Sequence, residues 1–365
     1  MIRLSPRMTA LRSYGAEDLL DGEVRVRAHR NEAPLPPPQH VVEAVRNADG
    51  DALRYYPANL QRRVLHQLAC RLGTGARNVA IANGADEILL AASRVTLDTG
   101  SNAVTVRPTF GMYARAVALC GAEVREVPYG RRWRLDADSL LAQVDRDTRL
   151  IYLGHPNNPT GEALPPATLE RLARALPDTL IVVDEVYLAF HAESLMRAAR
   201  PLPNVVVAGS LSKVCALAGL RVGFVTGDAA VISAFRRVLA PYALCATALL
   251  AAQAYLSDGA AARAFERAIT FEVQRSLDAI AGALTPFATN LWRGLGSFLL
   301  VDFGMDVAPI VKRLRRRGIA VRAFSTGELR TCIRVGALDE SATAELVNAL
   351  NEVLPAFVGR QLASA

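Results

Sequence analysis

Short strand-like runs recur along this chain, several of them nearly unbroken in Val, Ile and Leu. They fall at 79–82, 103–106, 123–127, 150–153, 180–183, 205–208 and 222–225. A strand covered on both faces has no polar side to alternate with, so such runs predict strands buried in a sheet. Apolar positions return at helical spacing between several of them, at 86–94, 112–119 and 166–175. Strand–helix alternation predicts an α/β fold, a mainly parallel seven-stranded sheet flanked by helices. From about residue 260 a long helical pattern follows. Then come a strand at 298–301, a helix at 307–317, strands at 320–322 and 331–335, and a closing helix at 341–353. These predict a smaller C-terminal α/β domain. The expected organisation is an irregular N-terminal arm over 1–35, a large domain over 36–255 and the small domain over 256–365.

At 365 residues, 51% hydrophobic and 21% charged, the chain can bury a large core. The net charge of +7 comes from scattered Arg, with one dense cluster at Lys312, Arg313, Arg315, Arg316 and Arg317. That cluster is too short to argue for nucleic acid and reads as a solvated helix face. The most apolar stretch, 238–256, is broken by Pro241, Thr247 and Gln253, which predicts a buried helix rather than a membrane span. The N-terminal 27 residues carry charges throughout and no apolar signal region. Cys70, Cys120, Cys215, Cys245 and Cys332 are far apart and form no CxxC pair. Reduced thiols in a cytoplasm are the expectation, with no metal cluster.

The charge composition holds one informative detail. The chain has 42 Lys and Arg, of which only Lys213 and Lys312 are lysine. Arg supplies a permanent cation; only Lys can lose its proton and attack a carbonyl to form a Schiff base. Lys312 lies in the charged cluster, which leaves Lys213, in Ser210-Leu211-Ser212-Lys213, as the candidate nucleophile.

Other candidate residues gather at the predicted strand ends, where open α/β sheets bind ligands. Asn83-Gly84-Ala85-Asp86-Glu87 opens a helix whose free N–H groups suit a phosphate. Pro108-Thr109-Phe110-Gly111-Met112-Tyr113 offers an aromatic face for a flat ring. His155-Pro156-Asn157-Asn158-Pro159-Thr160-Gly161 fixes a turn that presents the Asn158 amide. Asp184, leaving an apolar strand ahead of Tyr187, is a carboxylate that needs a cation. Ser210, Ser212 and Arg221 supply two hydroxyls and a guanidinium, enough to share a phosphate dianion. Each has a bland counterpart: a helix-terminal charge, a core aromatic, a structural Asn, a salt bridge, a loop cap.

Taken in order, Asn158-Pro159-Thr160-Gly161, Asp184 with Tyr187, and Ser210-Leu211-Ser212-Lys213 followed by Arg221 resemble the fold-type-I pyridoxal-phosphate aminotransferases (class I/II). Within them the chain is most similar to the histidinol-phosphate aminotransferase branch, from about residue 31 to 350. The resemblance implies pyridoxal 5'-phosphate as coenzyme. It implies Lys213, Asp184 and Tyr187 as catalytic residues, with Lys213 carrying the aldehyde and Asp184 pairing with the pyridinium nitrogen. Asn158 and Tyr187 would bond the ring hydroxyl oxygen, Phe110 would stack on the ring, and Ser210, Ser212, Arg221 and the N–H groups around Ala85 and Asp86 would hold the phosphate. Tyr56 matches the tyrosine that reaches the partner's phosphate in a homodimer. On the substrate side it implies Arg334, Arg322, Asn158 and Tyr14, with Asn31-Glu32-Ala33-Pro34 as the N-terminal substrate segment. The partners implied are an amino donor, with L-histidinol phosphate the leading choice, and a 2-oxo acid, 2-oxoglutarate. An aromatic or other amino-acid aminotransferase and a relative of threonine-phosphate decarboxylase are the alternatives. Ala33, Ala58 and Gly296-Ser297-Phe298 depart from the branch pattern; all lie in segments facing the substrate or the partner subunit.

Overall fold

The computed structural model describes residues 24–188, 193–324 and 327–357, with Ile2, Met8 and Leu11 isolated before them. In chain order the strands are β1 (Val26–Arg27), β2 (Val79–Asn83), β3 (Asn102–Arg107), β4 (Glu123–Pro128), β5 (Thr148–Gly154), β6 (Leu180–Asp184) and β7 (Val205–Ser210). They continue as β8 (Val222–Gly227), β9 (Asn290–Trp292), β10 (Phe298–Asp302), β11 (Ile319–Ala320), β12 (Arg322–Ala323) and β13 (Cys332–Gly336). All seven strand-like runs of the first part are strands of one sheet, in the order β2-β8-β7-β6-β5-β3-β4. β4, β3, β5, β6 and β7 pair in parallel, and β8 runs antiparallel to both β7 and β2.

Side-chain alternation explains why the central runs are apolar on both sides. Leu150, Tyr152, Leu180, Val182, Val206 and Ala208 enter one core layer, with Ile88 and Leu89 of helix Gly84–Thr96. Ile151, Leu153, Ile181, Val183, Val205 and Val207 enter the opposite layer, with Leu169 and Leu172 of helix Pro166–Ala175. Every second residue faces a different helix layer, so no position is left for a polar side chain. A third layer, built on Val79, Ile81 and Val222, packs helices Ala58–Arg71 and Ala246–Ser257. The second of these falls in the most apolar stretch. No helix among the described residues is long and apolar enough to cross a membrane.

Helix Gly259–Leu284 leads into a four-stranded sheet, β12-β13-β10-β9, wholly antiparallel. Helices Ala308–Arg316 and Glu340–Val353 cover it through Ile310, Leu314, Leu346 and Leu350. Two expectations need correction here. The run read as one strand at 320–322 divides at Val321, with Ile319–Ala320 pairing with Val26–Arg27 and Arg322–Ala323 with β13. The arm read as irregular therefore contributes a strand, and Val26 and Ala28 join the C-terminal core. Two-residue strands leave no periodic trace in a sequence.

The order of β5, β3 and β4 reverses the direction in which the sheet grows, and the crevice at that reversal opens over the strands' C-terminal ends. β8 holds the turn after β2 close to it: a Cβ on Gly223 would lie 2.5 Å from Gly84 O and 2.6 Å from Ala85 N. Gly223→Ala is therefore expected to push the Gly84 turn outward and cost about 2–3 kcal/mol. Urea unfolding of the purified variant measures this; a loss below about 0.5 kcal/mol would mean that the turn yields freely.

Candidate active site

Four strand ends and one helix start meet in a cavity of ≈ 560 Å³. Ala85 and Asp86 border it from helix Gly84–Thr96, and Phe110 from the turn after β3. Asn158 comes from the turn after β5, and Asp184 and Tyr187 from β6 and beyond. Ser210, Ser212, Lys213 and Arg221 come from β7 and the loop to β8, and Arg322 and Arg334 from the C-terminal sheet. These twelve residues, named from the sequence, thus share one cavity. Tyr56 does not: it is 79% exposed and stacks on Tyr242, ring centroids 4.7 Å apart. Tyr14 lies outside the described residues.

One end of the cavity is built for an anion. Helix Gly84–Thr96 points its N-terminus there, where N–H groups and the helix dipole favour negative charge. Arg221, at φ 53°, folds its guanidinium over this turn and donates to Asp86 at 2.9 Å. Gly84, at φ +77°, makes that possible, since a Cβ there would lie 2.5 Å from an Arg221 nitrogen. Ser210 Oγ donates to Ser212 Oγ at 2.8 Å and accepts from the Ser212 N–H at 3.0 Å, which brings both hydroxyls to the same corner.

Across from this end lies Asp184, the last residue of a central strand and 8% exposed. Burial pushes its carboxyl from the ordinary 3.8 up to about 6. The Val186 N–H (3.1 Å) and the Tyr113 hydroxyl (2.9 Å) donate to it and oppose the rise, while Asp86 adds to it. Tyr113 is itself fully buried, stacks on Tyr152 at 5.0 Å and meets Phe110 edge-on at 5.8 Å. Its hydroxyl ionises far above the ordinary phenol range because burial and the Asp184 charge both disfavour a phenolate. Tyr113 is thus a fixed donor. The sequence offered it only as the end of the Pro108–Tyr113 motif, with no role; its place one turn after Phe110 was the available signal.

The remaining polar groups are cross-linked. Asn157 is buried and holds the turn by accepting from Thr109 (2.6 Å) and donating to Pro108 O (3.0 Å) and Thr160 (2.9 Å). Asn158 Oδ1 accepts from Arg334 at 2.6 Å, which leaves its amide nitrogen to donate into the cavity. Arg334 also donates to His29 O, and Lys213 Nζ donates to Arg30 O at 2.9 Å. Arg322 stands directly opposite Arg334 on paired strands β12 and β13. Two like charges facing each other across strands are unfavourable, and an anion between them would relieve the repulsion. Phe324, just after β12, forms part of the wall and packs against the cluster of Leu300, Leu329 and Cys332. Phe324 and the His29 and Arg30 carbonyls carried no legible signal. Among the described residues no cluster of His, Cys, Asp or Glu has the form of a metal site.

The model for aminotransferase class I and II matches residues 29–350. The chain belongs to the class I and II aminotransferase family. It is 32% identical to histidinol-phosphate aminotransferase 2 of Burkholderia mallei over 338 residues, which cover 91% of this chain and 93% of that one. The histidinol-phosphate aminotransferase of Stutzerimonas stutzeri is also 32% identical, over 90% of this chain and 89% of its own. Among solved structures, the histidinol-phosphate aminotransferase of Sinorhizobium meliloti in complex with pyridoxal-5'-phosphate superposes with a TM-score of 0.89 at 29% identity. That match covers 98% of each chain. A Thermus thermophilus aspartate aminotransferase, at 23% identity and a TM-score of 0.83, shares the fold of this family member.

A carboxyl whose pKa is higher in the folded than in the unfolded chain binds more protons when folded. The stability it contributes is present in acid and lost as pH rises through the folded value. For Asp184 the window runs from about 4 to about 6. The coenzyme-free protein is therefore expected to lose on the order of 2 kcal/mol across that window relative to Asp184→Asn, in which this carboxyl cannot titrate. Parallel unfolding curves for the two proteins at several pH values read the difference. A flat difference would mean that Asp184 is already ionised in acid.

Proposed function

We propose that this aminotransferase works with pyridoxal 5'-phosphate and transfers the amino group of L-histidinol phosphate to 2-oxoglutarate. The observation that carries the substrate assignment is the Arg322–Arg334 pair, opposed across β12 and β13 on the cavity wall. Names of relatives at 32% identity favour the same donor.

The donor set suits the coenzyme. The Gly84 turn, Ser210, Ser212 and Arg221 would take its phosphate, Asp184 its protonated ring nitrogen, and Asn158 with Tyr187 its ring hydroxyl oxygen. Phe110 would cover one ring face. When bound, the coenzyme supplies an electron sink for the pair left as a substrate Cα–H bond breaks. Asp184 keeps the ring nitrogen protonated: its buried carboxylate becomes favourable beside a cation, reversing the penalty that raises its pKa. Lys213, which lines the cavity, would hold the coenzyme through Nζ, and its amine, when free, would be the group placed to take up and return the substrate proton. Arg334 holds the phosphate of the donor with Arg322, and the carboxylate of the 2-oxo acid in the second half of the cycle. Tyr14 is proposed as a further substrate contact.

The enzyme is proposed to be a cytoplasmic homodimer in which Tyr56 reaches the partner's phosphate site. An outward-facing group of Leu53, Tyr55, Tyr56 and Tyr242 on this surface supports the dimer, and five free cysteines support the compartment. The chain divides, in this reading, into the arm over 1–35 and domains over 36–255 and 256–365.

The test is a half-reaction panel on the loaded enzyme, following the coenzyme absorbance as each donor is added. L-histidinol phosphate is expected to react fastest. Arg322→Gln is expected to raise its KM about tenfold and to leave an unphosphorylated aromatic donor within about twofold. Lys213→Arg, which keeps the charge but cannot yield the proton, is expected to lower kcat at least about a thousandfold. Rapid reaction with phenylalanine or tyrosine and none with histidinol phosphate would overturn the donor assignment.

A further inference from the structure

The segment 28–32 runs beside the cavity and its backbone is closely used. Ala28 O accepts from Gly336 N at 2.7 Å, His29 O from Arg334, and Arg30 O from Lys213. Asn31 acts through its side chain instead: its Nδ2 donates to the Tyr187 hydroxyl at 3.1 Å. Asn31 is 1% exposed, does not border the cavity, and sits at φ 50°, in the left-handed region. Its Oδ1 is buried with no hydrogen-bond partner and lies against Gly336, where an added Cβ would come within 2.8 Å. A positive φ and an orphaned buried acceptor both cost stability. The bond to Tyr187 is what this costly placement secures.

A phenol has one hydrogen to donate and lone pairs with which to accept. Asn31 fills an accepting position on the Tyr187 oxygen and leaves its hydrogen for another acceptor. Around Tyr187, Lys213 Nζ lies 5.7 Å from the ring centroid, and Arg334 stacks on Phe298, which meets Tyr187 edge-on at 5.2 Å. Asp184, three residues back, accepts from Val186 and Tyr113. The Arg334 guanidinium is a donor and cannot take the phenol hydrogen, and Tyr187 borders the cavity, where an acceptor on a ligand would receive it. Accepting one hydrogen bond also strengthens the donation of the other.

We infer that Asn31 is a positioning residue that fixes Tyr187 as a hydrogen-bond donor to the ring oxygen of the bound coenzyme. This rests on the coenzyme reading above and adds a residue to it. A weaker Tyr187 donor leaves the ring oxygen richer in electrons and raises the proton affinity of the nitrogen beside it.

A double-mutant cycle tests it, using wild type, Asn31→Gly, Tyr187→Phe and the double variant. Glycine adopts the positive φ without strain and removes only the amide. Two quantities are read: the dissociation constant of pyridoxal phosphate and the pH midpoint of the absorbance change of the loaded protein. Asn31→Gly is expected to weaken binding about three- to tenfold and move the midpoint upward. In the Tyr187→Phe background the same change is expected to alter neither. An unmoved midpoint, or an equal effect in both backgrounds, overturns the inference. Should Asn31→Gly not fold, Asn31→Asp carries the same cycle. Its carboxylate accepts the Tyr187 hydrogen, so the upward shift is larger and shrinks in the Tyr187→Phe background; a shift of undiminished size there overturns the inference. A wild-type protein that takes up no coenzyme overturns the coenzyme reading itself, and this inference with it.

Discussion

A carboxylate at the end of a central strand, buried beneath a cavity, is the constraint around which the site is arranged. Asp184 is carried there by β6, whose other residues are apolar because both faces of the sheet are covered. Such a group is tolerated only when donors or a cation answer its charge. Val186 and Tyr113 supply two hydrogen bonds, and burial still raises the pKa. A cation supplied by a ligand would offset what remains of the burial penalty. A flat heteroaromatic cation with a phosphate on its far side meets that demand, because the anion-binding corner of Gly84, Ser210, Ser212 and Arg221 opens on the same cavity.

The C-terminal sheet completes the site by register. Because Arg322 pairs with Arg334, two guanidiniums face the cavity from adjacent strands. The link from Arg334 to Asn158 joins this sheet to the turn after β5, so two walls of the cavity share a hydrogen bond. The segment 28–31 ties the same groups from a third side, through carbonyls to Arg334 and Lys213 and through Asn31 to Tyr187. Cavity-lining groups from distant parts of the chain are thereby held to one another rather than each to its own element, as precise positioning requires.

Much of this was legible in the sequence because buried strands announce themselves. Seven strand-like runs, most of them apolar, gave seven strands, and the residues placed just after several of them border the cavity. The scarcity of lysine singled out Lys213 on chemical grounds alone. What stayed hidden depends on tertiary geometry. The strand at Val26–Arg27 is too short for a pattern, and the division of the run around Val321 follows from two different partners on its two sides. Tyr113 reads as one more core aromatic until its hydroxyl is found on Asp184. The opposition of Arg322 and Arg334 is a fact of register, which no local pattern encodes in strands of two and five residues.

Because the chain has only two lysines, the covalent anchor can be tested without ambiguity. The protein is loaded with pyridoxal phosphate, reduced with borohydride, and digested for peptide mass mapping. The added mass is expected on the peptide that contains Lys213. Label on Lys312 or on the chain's α-amino group, or no label at all, would contradict the assignment of this cavity.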